Sequence, residues 1–214
     1  FRRVLFRSLF VLISAEVIDT GPILRFDARW AERFHDAAGP TTRDVFTVIT
    51  AFGSPVLYVI GFGLGAILVW RREWTLLAGW ALATAGTKLL NIGLKELFAR
   101  PRPDFTGVAL PNEYGYPSGH TMHSAAAYGM LAYFVWIGVR NPRLRAAAIL
   151  GAALLTGLVG LSRLVLSVHF VSDVVGALIA GTLWLGVAVS FTEALRAREA
   201  VYLGNVQTGS HVQE

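Results

Sequence analysis

A histidine and an aspartate near the middle of the chain have the types and spacing for nucleophilic chemistry. His169 and Asp173 are four residues apart, so on a helix they would lie one turn apart on the same face. A carboxylate in that position can bond one imidazole nitrogen, which leaves the other nitrogen free to attack. The sequence contains no cysteine, so neither a thiol nucleophile nor a thiolate metal site is available.

Cationic and hydrogen-bonding residues suited to a phosphate accompany this pair. Phosphoryl transfer concentrates negative charge on three equatorial oxygens, so its site needs several fixed cations and donors aimed at one point. Lys95, Arg102 and Arg163 can supply the cations, and a guanidinium can bind two phosphate oxygens at once. The Ser118 hydroxyl and the Gly119 amide add donors where an apolar helix begins, and a helix N-terminus favours an anion. Such a pocket can be built without a metal.

Three ordered blocks carry these residues. Residues 95–103 read K-E-L-F-A-R-P-R-P, residues 117–120 read P-S-G-H, and residues 162–173 read S-R-L-V-L-S-V-H-F-V-S-D. This pattern resembles that of the type 2 phosphatidic acid phosphatase (PAP2) superfamily at every defined position. The resemblance is specific over residues 95–173 and extends loosely, through the membrane helices of the family, over residues 45–191.

The resemblance implies a role for each matching residue. His169 would be the nucleophile that forms a phosphohistidine, Asp173 would orient it, and His120 would protonate the leaving oxygen and then activate water. His169 must then be neutral and His120 protonated, which predicts a bell-shaped dependence of rate on pH. The phosphate would be bound, with no metal and no cofactor, by Lys95, Arg102, Ser118, Gly119 and Arg163.

Three further polar residues have no position in the pattern. We expect Arg100 to be an anchor or a contact to a lipid headgroup, and His123 to pack behind the site. Lys88 lies inside an apolar stretch, where an unpaired charge costs about 2.5–3.5 kcal/mol on insertion scales. It is therefore expected to face a wet cavity or a carboxylate, on the route from the membrane to the site.

The composition indicates a membrane protein that positions these residues at helix ends. The 214 residues are 54% hydrophobic and only 15% charged, which is more apolar than an ordinary soluble domain. The net charge of +5 is spread over the ends of apolar blocks, which argues against a nucleic-acid partner. The fold class predicted is all-α, a transmembrane bundle of about six helices with an incomplete first span. The spans are expected at residues 9–18, 45–70, 74–94, 122–139, 144–161 and 174–191.

The distribution of arginine predicts the orientation of the bundle. Three arginine-bearing segments alternate with the segments that carry the motif, and the positive-inside rule assigns them to the cytoplasm. Residues 95–120 and 162–173 then lie together on the extracytoplasmic face. The arginines concerned are Arg71, Arg72, Arg140, Arg143, Arg145, Arg196 and Arg198.

The chain is expected to form one membrane-embedded domain, with its core at about residues 45–192. Residues 23–38 predict an amphipathic helix, either at the membrane interface or as a solvated connection. Residues 1–8 are interpreted as non-native sequence, and residues 196–214 as a flexible tail.

The leading functional hypothesis is hydrolysis of a lipid phosphate monoester or diphosphate at the outer surface of a bacterial plasma membrane. Candidate substrates by resemblance are phosphatidic acid, phosphatidylglycerol phosphate and undecaprenyl diphosphate. A vanadate-dependent haloperoxidase is an alternative because it uses a similar constellation, although multiple spans argue against it. A transporter is a third class, and it predicts charges spread through several spans rather than collected at one face. Oligomeric state is left open.

Overall fold

The computed structural model describes residues 21–105 and 114–210, and all regular structure within those ranges is helical. The predicted span at residues 9–18 and the predicted non-native residues 1–8 lie outside the described residues. The helices are α1 Pro22–Ala37, α2 Pro40–Ala51, α3 Pro55–Trp70, α4 Trp74–Ala81, α5 Thr87–Phe98, α6 Gly119–Gly138, α7 Pro142–Val165 and α8 Val171–Ser210. A π-helical segment, Leu82–Gly86, joins α4 to α5 without a break.

Local sequence explains where several helices begin. Pro22, Pro40, Pro55 and Pro142 each stand in the first turn of a helix, where a missing N–H costs nothing and the proline φ suits the helix. Asn141 also caps α7, since its side chain accepts a 2.9 Å hydrogen bond from the Arg143 N–H. These signals fix the N-terminal ends of four helices.

The central helix is α6, which packs against both α7 and α8. It contains a run of small buried residues, Ala125, Ala126 and Ala127. Small side chains let the backbones of neighbouring helices approach closely. On α8, a Cβ added at Gly181 would lie 2.7 Å from the Met122 carbonyl oxygen. This close packing brings together the N-terminal ends of α6 and α8 and the C-terminal end of α7.

Three helices of the described part are long and apolar enough to cross a membrane, namely Pro40–Trp70, Pro142–Val165 and Val171–Tyr202. Within the first of these, the chain kinks between α2 and α3. The spans predicted at residues 74–94 and 122–139 are also helical. They are less apolar because they lie further inside: nine of the 20 residues of α6 are buried by protein and include Thr121 and Ser124.

The last helix is longer than hydropathy predicts. The predicted span ends at residue 191, whereas α8 continues to Ser210. The tail predicted to be flexible from residue 196 therefore begins inside a helix. An ion pair between Arg196 and Glu193, at 2.9 Å, follows the i, i+3 spacing of helical neighbours.

The amphipathic helix predicted at residues 23–38 is α1, and it lies across the ends of α7 and α8. Charged residues of an amphipathic helix are expected in solvent, but Asp27 is buried, as is Ala31. Asp27 is buried because it forms hydrogen bonds to residues of the site described next.

Candidate active site

The motif residues meet where α5 and α7 end and where α6 and α8 begin. The left-handed Ala99 terminates α5 at φ 44°, which turns the chain into the Arg-Pro-Arg-Pro segment. The chain returns at Tyr114, where the Gly115 N–H donates a 2.7 Å hydrogen bond to the Arg100 carbonyl. Side chains from four separate stretches are thus directed at one place.

His169 lies in the turn between α7 and α8, with only 3% of its surface exposed. Its Nδ1 is 3.3 Å from Oδ2 of Asp173. The contact is not between two residues of one helix, as the spacing predicted, because α8 begins only at Val171. Asp173 sits in the first turn of α8 and also accepts a 2.9 Å hydrogen bond from the Phe170 N–H. The carboxylate therefore caps its own helix while it orients the imidazole.

Burial sets the protonation of His169. Desolvation lowers the pKa of His169 below its ordinary value, and the positive charges of Arg163 and Arg102 act in the same direction. The hydrogen bond and the negative charge of Asp173 raise the pKa but do not overcome burial. The imidazole is therefore neutral near neutral pH. With Nδ1–H directed at Asp173, Nε2 carries the free lone pair.

His120 is the second residue of α6 and lies beside His169. Burial lowers the pKa of His120 to about 3, and the charges of Arg163, His169, His123 and Arg102 act in the same direction. The protonated His120 that the resemblance implies therefore requires the negative charge of a bound phosphate. These mutual influences place His120, His169, Arg102 and Arg163 in one group. Gly53, at the kink between α2 and α3, packs against His120: a Cβ there would lie 3.1 Å from the His120 Cβ. The kink therefore forms one wall of the site.

Two of the predicted phosphate-binding cations face the histidines. Arg163 is at the end of α7, and its Nη1 donates a 2.7 Å hydrogen bond to the Thr50 hydroxyl. Its Nε is buried and has no partner among the described residues. Arg102 is close enough for its charge to act on both Arg163 and His169. A phosphate between them would find two guanidinium groups.

Lys95, the third predicted cation, is held near the end of α5. Its Nζ donates a 2.7 Å hydrogen bond to the Tyr114 carbonyl, and its charge acts on His123. The structure thus brings Arg102 and Arg163 to the catalytic histidines, and Lys95 to Tyr114 and His123.

The Pro-Ser-Gly-His turn is held by contacts that the sequence does not reveal. Ser118 is fully buried; its N–H donates to the Asp173 carbonyl at 3.0 Å, and its hydroxyl accepts from Thr121 at 3.1 Å. Asn91 of α5 donates from Nδ2 to the Pro117 carbonyl at 3.1 Å. A Cβ at Gly119 would lie 3.0 Å from the Asn91 side-chain oxygen, so glycine allows this contact.

Sequence reasoning missed two residues of the site, Arg100 and Asp27. Arg100 is 5% exposed, so it is not the anchor or headgroup contact that was expected. Its guanidinium bridges two buried carboxylates, with Nη2 at 2.8 Å from Asp27 and Nη1 at 2.7 Å from Asp173. The signal in the sequence was a positive charge on the face that the positive-inside rule predicts to be extracytoplasmic, where positive charge is disfavoured.

Comparison with known proteins is consistent with this geometry. The PAP2 superfamily model matches residues 73–197. The chain belongs to the PAP2 superfamily. It is 33% identical over 196 residues to phosphatidylglycerophosphatase B of Bacillus subtilis (strain 168), an alignment that covers 88% of this chain and 94% of that protein.

Two solved structures have the same fold. A transmembrane PAP2-type phosphatidylglycerolphosphate phosphatase from Bacillus subtilis superposes with a TM-score of 0.76 at 29% identity, over 89% of this chain and 96% of that one. LpxE of Aquifex aeolicus superposes with a TM-score of 0.58 at 23% identity, over 77% and 95% of the two chains, and shows the fold alone. This PAP2 protein is an integral membrane phosphatase acting on lipid phosphates, which is the coarser part of the leading hypothesis.

Proposed function

We propose that this PAP2 protein hydrolyses a lipid phosphate monoester or diphosphate through a phosphohistidine formed on His169. The observation that carries the proposal is the buried His169–Asp173 pair, whose free imidazole nitrogen shares a site with Arg102, Arg163 and His120. A neutral nucleophile surrounded by fixed cations suits an anionic phosphorus centre.

In the first step, Nε2 of His169 attacks phosphorus and the bond from phosphorus to the lipid oxygen breaks. His120 gives its proton to the departing lipid oxygen. In the second step, His120 takes a proton from water, the water oxygen attacks the phosphohistidine, and the N–P bond breaks. Inorganic phosphate leaves, and both histidines return to their first states. Asp173 keeps the imidazole oriented throughout and stabilises the positive charge that develops on it.

The phosphate oxygens are bound by the residues that the motif predicts. Arg102 and Arg163 face the histidines, and Lys95, whose charge acts on the neighbouring His123, supplies the third cation. The first turn of α6, from Gly119, adds backbone N–H groups and the positive end of a helix dipole. Ser118 is buried under this turn. Its hydrogen bonds support the anion site, and its hydroxyl is also a donor for the anion.

A cavity lined in part by His123, one helical turn after His120, supports a lipid as the substrate. It has a volume of about 440 Å³ and almost entirely apolar walls, and it includes Lys88 and His123 among its lining residues. Lys88 also lies with its Nζ 5.6 Å from the centre of the Tyr58 ring. The cavity can receive an alkyl chain while the headgroup occupies the cationic site.

Phosphatidylglycerol phosphate is the first substrate to test, because the Bacillus subtilis relative bears that name. Phosphatidic acid and undecaprenyl diphosphate are the other two candidates. The reaction is proposed for the extracytoplasmic face of a bacterial plasma membrane, since the arginine-rich segments lie at the opposite ends of the helices.

Phosphate release from these three lipids in detergent micelles, with EDTA present, tests the proposal. Activity is expected on at least one lipid, no activity is expected for His169→Ala, and an acid-labile phosphoryl group should be recovered on the wild-type chain. Full activity of His169→Ala, or complete loss in EDTA, would refute the metal-free histidine mechanism.

A further inference from the structure

The cluster that holds Asp173 from behind contains a residue of α1, which lies outside the segment matched by the family. Asp27 is completely buried, although α1 is otherwise a surface helix. One of its oxygens accepts a 3.0 Å hydrogen bond from the Ser172 N–H, and the other accepts from the Ser172 hydroxyl and from Arg100 at 2.8 Å. Within residues 21–105 and 114–210, the polar partners of this carboxylate therefore belong to the site.

Arg100 connects Asp27 to the residue that orients His169. Its Nη1 donates at 2.7 Å to Oδ1 of Asp173, while Oδ2 of Asp173 faces His169. The guanidinium also lies 4.5 Å from the centre of the Phe170 ring. The planar fork thus binds one carboxylate on each side, which fixes the rotamer of Asp173 in a way that a lysine could not.

The same helix also contacts the other end of the turn that carries His169. His35 Nδ1 lies 3.3 Å from the Ser167 hydroxyl, and Ser167 adopts the strained φ of 58° just before His169. Asp27 meanwhile accepts from the second N–H of α8, where the helix dipole favours a negative charge. The turn is therefore bound to α1 on both sides of the histidine.

Burying two carboxylates around one guanidinium has a cost in desolvation free energy. The three groups carry one net negative charge, and buried ion pairs seldom stabilise a fold relative to apolar packing. A net negative cluster behind Asp173 does, however, favour the positive charge that His169 acquires when it binds phosphorus. The cost is explained if the cluster serves the reaction.

We propose that Asp27 is a positioning residue for phosphoryl transfer, which acts through Arg100 and Ser172 on Asp173 and so on His169. Helix α1 is then part of the catalytic apparatus rather than a membrane-surface anchor alone. This inference rests on the proposed role of His169 as nucleophile.

The charged and titratable groups around His169 define what Asp27 can change. They are Asp173 from α8, Arg163 from α7, His120 from α6 and Arg102 from the segment after α5, with Arg100 and Asp27 behind Asp173. Removing the charge of Asp27 leaves the cations on the opposite side unchanged. The imidazole should then lose its proton more readily, and the acidic limb of the kcat profile should move to lower pH.

The test compares Asp27→Asn with Asp36→Asn, an exposed aspartate on the same helix. For Asp27→Asn we expect kcat to fall by about 10- to 100-fold, as for the outer partners of metal-binding histidines, with KM nearly unchanged and the acidic limb displaced. Asp36→Asn should behave as wild type. Folded Asp27→Asn protein with wild-type kcat and an unmoved acidic limb would overturn the inference.

A second variant keeps the inference testable if Asp27→Asn does not fold. Ser172→Ala removes only the hydroxyl that joins Arg100 to Asp27, and a smaller fall in kcat with unchanged KM is expected. Equal activity of Ser172→Ala and wild type would then count against it. If wild type itself releases no lipid phosphate, or His169→Ala stays active, the proposed function has failed instead.

Discussion

At the scale of single residues, the candidate site depends on opposing influences upon one imidazole. Burial lowers the pKa of His169, and so do Arg163 and Arg102, whereas the bonded Asp173 raises it. The first influence prevails, so the nucleophile keeps its lone pair at pH values where an exposed histidine, with a pKa of about 6.5, would be half protonated.

This balance predicts the position of the acidic limb of the rate profile. Because the pKa of His169 is lowered, its neutral fraction persists as pH falls, and kcat/KM should decline only below about pH 6.5. Replacing Asp173 by Asn removes the influence that raises the pKa, so the acidic limb should move lower still while kcat falls. Kinetics across pH on wild type and Asp173→Asn provide the measurement. A wild-type limb well above pH 6.5 would contradict the assignment.

At the scale of elements, the kink between α2 and α3 supports His120. Gly53 stands at this kink, where an added Cβ would meet the Val159 side chain at 2.6 Å and His120 at 3.1 Å. The kink is also bonded to α6, since the Tyr128 hydroxyl donates a 2.5 Å hydrogen bond to the Phe52 carbonyl. The position of the histidine therefore depends on the exact path of a neighbouring helix pair.

Gly53→Ala tests this dependence. The added methyl overpacks the contact, which should destabilise the protein by about 1–3 kcal/mol and displace His120. We expect kcat to fall by about tenfold, since a misplacement of about 1 Å can cost about 100-fold. Gly65→Ala in α3 is the matched control, because nothing lies within 4 Å of its new methyl. Thermal unfolding and phosphate release measure the two effects, and equal results for both variants would contradict the role of the kink.

The cavity between α3, α4 and α5 allows a second test at this scale. Ala85 is exposed and lines it, so Ala85→Phe should fill the space of an alkyl chain. Displacing about two buried methylene groups, at about 0.8 kcal/mol each, should raise KM for a long-chain lipid by about tenfold and leave a short-chain analogue nearly unaffected.

Ala147→Phe is the matched control for the cavity, since Ala147 is equally exposed but lies on α7 away from it. Its KM for both lipids should equal that of wild type. If Ala85→Phe also leaves the long-chain KM unchanged, the cavity does not bind the substrate chain.

At the scale of the whole molecule, the distribution of charge separates two faces of the bundle. The site residues gather at one end, and the arginine-bearing turns lie at the other ends of the same helices. Because the chain has no cysteine, single cysteines can report this orientation without a background. Glu96, near the outer end of α5, and Arg143, at the start of α7, are both exposed.

We expect a membrane-impermeant maleimide to label Glu96→Cys on intact cells, and Arg143→Cys only after the membrane is opened. Activity of both variants serves as the control for folding. Labelling of Arg143→Cys alone on intact cells would reverse the proposed orientation and put the site in the cytoplasm.

Much of this molecule could be predicted from its sequence because the relevant signals are local. Long apolar stretches must form helices in a bilayer, since their backbone groups have no other partners there. The motif residues were found through three short blocks whose internal spacing matches a family. Even so, local patterns misjudged Arg100 and Asp27. Arg100 is 73 residues from Asp27 and 73 residues from Asp173 along the chain.

What the sequence by itself determined is the chemistry available: a histidine with its aspartate, a second histidine, and arginines placed at helix ends. What only the tertiary structure decided is which further groups support them. Asp27, Asn91 and Gly53 come from α1, α5 and the kink after α2, and each meets the site through a contact between distant segments. Such contacts have no signature in the spacing of residues, because burial and hydrogen-bond geometry arise only when the helices pack.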